Sequence, residues 1–157
     1  MENQLTILAE SLDKKIEVLK EIQAYNIRQE QVFSAETVDM DGFDEAVEEK
    51  GRLIEKLTLL DSGFETMYAK LGEQLKGNRE KYAAQIRELQ AKITTITEMS
   101  VTIQAQEKRN KQLVEQFFAR ERAGLQQGRK ASRAAYDYYR KMSSVSSEQP
   151  RFYDSKK

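Results

Sequence analysis

The densest group of side chains able to do chemistry is the acidic run at residues 36–49. It holds Glu36, Asp39, Asp41, Asp44, Glu45, Glu48 and Glu49 with no base among them. Carboxylates are hard oxygen ligands, so calcium is the ion to consider. The run lacks the ligand order of a calcium loop, with its central glycine and closing glutamate at position twelve. Glu48 and Glu49 are neighbours in a helical pattern, point in different directions and cannot act as an acid–base pair. A solvated cap at the positive end of a helix dipole is the expected role. Gly124-Leu125-Gln126-Gln127-Gly128 is not a phosphate loop, because no Lys-Ser/Thr follows it and no strand precedes it. The sequence contains no His, Cys or Trp. That removes Ser-His and Cys-His nucleophiles, Cys/His zinc sites and the usual proton shuttle near neutral pH. The expectation is a non-enzyme with no catalytic residue, no metal and no cofactor.

A stronger pattern lies at residues 125–142. Projected at 100° per residue, Arg129, Lys130, Arg133, Asp137, Arg140 and Lys141 fall in one arc of about 120°. Leu125, Ala131, Ala135, Tyr136, Tyr138, Tyr139 and Met142 fall in an arc of about 160° on the other side. Alanine beside tyrosine makes a shallow face, and tyrosine supplies large area with a wet end, which suits an interface. Three readings stand side by side. The face docks permanently on the rest of the chain as a fourth core helix, or it receives another protein's helix, or the cationic arc meets nucleic acid or anionic lipid. The last lacks a recognisable nucleic-acid module, and a membrane-surface helix calls for Trp, Phe or Leu rather than Ala and Tyr.

These residues need elements to position them, and the elements are helices. One proline and seven glycines punctuate 157 residues, which leaves few places to turn a chain. Leu5, Leu8, Leu12, Ile16, Leu19 and Ile22 recur at spacings of three and four and predict a helix over 2–33. Lys15 sits at the edge of that stripe and must snorkel or pair. Polar residues at 34–42 end it, with Asp39 or Asp41 available to cap a second helix over 43–75. Its stripe is Phe43, Val47, Ile54, Leu57, Phe64, Met67, Leu71 and Leu75, and it continues through Leu60-Asp61-Ser62-Gly63. Gly77-Asn78 is the clearest turn, with Asn78 as cap for a third helix over 79–122 carrying Tyr82, Ile86, Leu89, Ile93, Ile96, Ile103, Leu113 and Phe117. At 1.5 Å per residue that helix is on the order of 65 Å long and must lie along partners of similar length. The fold expected is therefore all-α: an elongated antiparallel helical bundle or coiled coil of three long helices plus a shorter C-terminal amphipathic helix. Residues 1–122 form the bundle, 123–142 the partner-binding helix, and 143–157 a mobile tail.

Charge is divided along the chain. Residues 1–107 carry 13 basic and 21 acidic side chains, whereas residues 108–157 carry 13 basic and 5 acidic. This division suggests a separate partner or docking surface for the last third. The acidic, amphipathic start lacks the basic and apolar regions of a signal peptide. The least charged stretch, 93–106, falls short of the ~20 apolar residues that span a bilayer. A cytoplasmic protein is expected, with no membrane insertion and no nucleic acid.

Several phrases resemble the flagellar export chaperones of the FlgN type. Asp44-Glu45-Ala46-Val47-Glu48-Glu49-Lys50 followed by Leu53-Ile54-Glu55-Lys56-Leu57 is similar to that family's second helix. Glu107-Lys108-Arg109-Asn110-Lys111-Gln112-Leu113 is similar to its Asn-x-x-Leu signature. Arg133-Ala134-Ala135-Tyr136 and Arg151-Phe152-Tyr153-Asp154-Ser155-Lys156-Lys157 resemble its alanine-tyrosine helix and aromatic-Asp-Lys ending. The resemblance implies a cytosolic chaperone that binds terminal helices of unassembled hook-associated proteins, the hook–filament junction proteins. It would keep them from aggregating and bring them to the flagellar type III export apparatus. Tyr136, Tyr138 and Tyr139 become the aromatic positions that contact client or export gate, and a monomer or weak dimer is expected. The rival from another class is a self-associating coiled-coil adaptor.

Overall fold

The computed structural model describes residues 2–122 and Tyr138. Three helices account for the continuous stretch: α1 (Glu2–Ser34), α2 (Met40–Leu75) and α3 (Ala83–Arg122). The expected fourth helix and tail, with Leu125, Ala131, Ala135, Tyr136, Tyr139 and Met142, lie outside the described residues.

Each helix is built on one seam whose positions alternate by three and four. In α1 the seam is Leu5, Leu8, Leu12, Lys15, Leu19, Ile22, Asn26 and Gln29, all buried. In α2 it runs Phe43, Val47, Lys50, Ile54, Leu57, Asp61, Phe64, Tyr68 and Leu71, and in α3 Leu89, Ile93, Ile96, Ser100, Ile103, Glu107, Asn110 and Val114. A mean spacing of 3.5 keeps a seam facing its neighbour over many turns, which is the condition for coiling. Helix α1 packs along both α2 and α3, whereas α2 and α3 have no close backbone approach to each other. Lys15 pairs with Asp61 and Asn26 with Lys50, so α1 and α2 run antiparallel. Asp13 pairs with Lys92 and Glu30 with Arg109, so α1 and α3 run parallel. The order is up, down, up.

The turns have separate physical causes. Asp39 caps α2, its carboxylate accepting from the Gly42 N–H at 3.0 Å. Phe33, at the end of α1, meets the Phe43 ring edge-on at 5.3 Å and Phe117 of α3 at 5.8 Å. These rings close that end of the bundle. Helix α2 passes unbroken through Ser62 and Gly63, because Leu57, Asp61 and Phe64 hold the seam on both sides of them. At the other end Gly77 takes φ +86°, the left-handed conformation that glycine adopts without strain.

Two expectations at that turn need correction. Helix α3 starts at Ala83 rather than at residue 79, and Asn78 does not cap it. The Asn78 N–H bonds back to Leu75 O at 2.9 Å and its amide reaches Gln74 O, so Asn78 finishes α2. Helix α2 begins three residues earlier than expected, at Met40, directly after its Asp39 cap.

Candidate functional site

An apolar seam in a helical bundle is filled with aliphatic side chains unless something specific is needed. Here seam positions in all three helices become polar at one level. Asn26 of α1, Lys50 of α2 and Glu107 and Asn110 of α3 are all buried. Lys50, with no exposed side-chain surface, donates to Glu107 Oε1 at 2.7 Å and to Asn26 Oδ1 at 2.6 Å. Asn26 turns its amide N–H to Gln106 Oε1 at 3.1 Å. Asn110 donates to the backbone carbonyl of Asn26 at 3.0 Å. The layer therefore joins all three helices through directional bonds, and Lys50–Glu107 bridges α2 to α3.

Tyr138 completes it. The residue is 4% exposed. Its hydroxyl donates to Glu107 Oε1 at 2.7 Å, and its ring lies over Lys50 Nζ at 4.0 Å from the centroid. A cation over a desolvated ring is attracted by the ring quadrupole. Burial lowers the Lys50 ammonium from its ordinary value to about 8, with Glu107 acting in the opposite direction. Desolvation outweighs the ion pair, yet at neutral pH the group still carries its proton. Hydrogen-bonding capacity is left over: Glu107 Oε2 and both amide atoms of Gln29, one turn along α1 from Asn26, are buried and unmatched.

A second, simpler polar layer lies further along. Lys15, 2% exposed, bonds Asp61 at 2.5 Å, and Asp13 bonds Lys92 at the same distance on the outer side. Lys15 pairs rather than snorkels. Burial raises the Asp61 carboxyl despite the Lys15 ammonium beside it.

Of the seven residues expected on the partner-binding face, Tyr138 is the one in the described structure, and it is turned into the bundle. Lys50, Glu107 and Asn110 entered the sequence reading only as parts of family-like phrases, and Asn26 did not enter it. The three/four spacing held the signal, since an uninterrupted seam requires residues 26, 50, 107 and 110 to face inward. In the acidic run, Asp39 caps α2, and burial followed by Asp41 and Glu48 raises the Asp44 carboxyl. Among the described residues no group of three or more His, Cys, Asp or Glu is placed to hold a metal ion. No described helix is long and apolar enough to cross a membrane.

A sequence model of the FlgN protein family matches residues 1–143. The chain belongs to the FlgN family. FlgN proteins are flagellar export chaperones that bind hook-associated proteins, and the helical bundle agrees with that class. The match spans all three helices and Tyr138, so the polar layer lies wholly within the FlgN region. No match is found among curated proteins or among solved structures.

Proposed function

We propose that this FlgN chain binds terminal helices of unassembled hook-associated proteins in the cytoplasm, prevents their aggregation and delivers them to the flagellar export gate. The client-binding face is the one made by Leu125, Ala131, Ala135, Tyr136, Tyr138, Tyr139 and Met142. The FlgN match over residues 1–143 carries the reading. The bundle adds a physical reason. Clients with helices unpaired before assembly are matched by a partner that offers a coiled-coil seam, since helix-in-groove recognition uses anchors at three- and four-residue spacing. The small alanines let a client helix approach closely, and Tyr136 and Tyr139 anchor the contact while keeping their hydroxyls wet.

The test uses the full chain, a purified hook-associated protein and the variant Ala135→Glu. A charge in the middle of the face lowers client affinity several-fold to a hundredfold, by roughly 1–3 kcal/mol for an unmatched polar group. The melting temperature of the isolated variant moves little. A variant that unfolds as severely as it loses client assigns the face to the core instead. Sedimentation without client separates the rival class: a chaperone runs as a monomer or weak dimer, and a structural adaptor as a stable oligomer.

A further inference from the structure

The polar layer bridges two helices that do not pack closely on each other. Helices α2 and α3 both rest on α1, but they meet each other through Lys50 and Glu107 rather than through close-packed backbones. Tyr138 reaches that layer from far along the chain. It is 16 residues past the last residue of α3, yet it bonds a residue about four turns back from that end. Its contacts with Glu107 and Lys50 show chemistry the place accepts: a hydroxyl donor for a carboxylate and a π-face for an ammonium. Tyr138 does not exhaust the place. Glu107 Oε2 has no donor, and the wholly buried Gln29 amide has neither donor nor acceptor. Buried polar atoms in folded proteins are matched almost everywhere, so unmatched ones inside a built layer call for an occupant.

We infer that the Lys50–Glu107 layer is a socket for one hydrogen-bonding side chain carried on an amphipathic client helix, and that Tyr138 is the chain's own occupant of it. This rests on the chaperone reading and adds a position and a chemistry to it. The partner is a helix apolar at its three/four positions, as the flanking seam residues Ile54, Leu57 and Ile103 require. One of those positions holds a side chain with an N–H or O–H to give to Glu107. An amide suits best, because it can donate to Glu107 and still offer an acceptor. Client docking and Tyr138 burial are then alternatives. Tyr138 leaves the socket when the client enters, and its ring becomes available to the face of residues 125–142.

Two variants of the full chain test this by titration with a purified hook-associated protein. Tyr138→Phe keeps the ring and removes the hydroxyl bond to Glu107, so the competitor is weakened and client affinity rises three- to tenfold. In that background, Glu107→Gln takes away the carboxylate that receives the client's donor, and affinity falls about tenfold. Unchanged or weaker binding by Tyr138→Phe overturns the competition, weaker binding meaning that the Tyr138 hydroxyl itself contacts client. No effect of Glu107→Gln overturns the client's use of the socket. Should that second variant melt below the assay temperature, the Tyr138→Phe result decides alone. Failure of the unsubstituted chain to bind any hook-associated protein defeats the chaperone reading instead.

Discussion

A lysine with no exposed side-chain surface is unusual, because a buried ammonium is tolerated only with strong partners. Lys50 has Glu107, Asn26 and the Tyr138 ring, and the group most dependent on it is Glu107. Lys50→Met keeps the length of the side chain but leaves that carboxylate buried without its cation. The expected loss of stability at neutral pH is about 3–5 kcal/mol, read as a lower urea midpoint. Lys50→Met/Glu107→Met recovers most of it, since the buried ion pair is then removed as a whole. The pair also predicts a pH dependence. The folded Lys50 releases its proton at about 8 and the unfolded one at its ordinary value of 10.5. Between those values the unfolded chain binds the proton and the folded chain does not, so the Lys50 contribution to stability rises with pH across the window. The urea midpoint of the natural chain should climb relative to the double variant from pH 7.5 to pH 10. A flat or falling difference would mean that the ion pair, not burial, controls this lysine.

At the scale of the helices, the three glycines of α2 with open surroundings differ from the one that is crowded. A Cβ at Gly51 or Gly63 meets nothing within 4 Å, whereas at Gly42 it lies 2.6 Å from Asp39 Oδ2. Gly51→Ala and Gly63→Ala should each stabilise by roughly 0.5–1 kcal/mol through helix propensity. Gly42→Ala should give no such gain, because the Asp39 cap must shift, and caps contribute about 1 kcal/mol. Thermal melts of the three variants measure this directly. The helices themselves were legible in the sequence because Leu, Ile and Phe at regular spacing leave little alternative. The continuity of α2 through Gly63 was legible for the same reason. The site was not. A stripe traced by its apolar members passes over Asn26, Lys50, Glu107 and Asn110, since a polar residue at one seam position resembles a surface residue until three helices bring four of them to one level. The start of α3 was misplaced because Asn78 can cap in either direction, and its backbone bond to Leu75 decides.

For the whole molecule, α1 is the shared support of the other two helices, and the seams of all three described helices lie within residues 2–122. A chain ending at Arg122 should still melt as a cooperative helical unit. Its melting temperature should be lower than that of the full chain by several degrees, because Glu107 and Lys50 lose the Tyr138 hydroxyl and ring. Circular dichroism distinguishes this from loss of the cooperative transition, which would make the segment beyond Arg122 part of the core.

The arrangement of the polar layer along the chain also bears on how the molecule is made. Asn26 and Lys50 are 24 residues apart and leave the ribosome early, whereas Glu107 follows Lys50 by 57 residues. At about 5–20 residues per second of synthesis, the α1–α2 hairpin waits on the order of 3–11 s for its acidic partner. During that interval its seam displays an ammonium at mid-length. Two nascent hairpins that tried to pair through their seams would set like charges against each other in a drying interface, which is strongly disfavoured. A buried lysine on this seam therefore disfavours pairing between half-made chains until the third helix supplies Glu107.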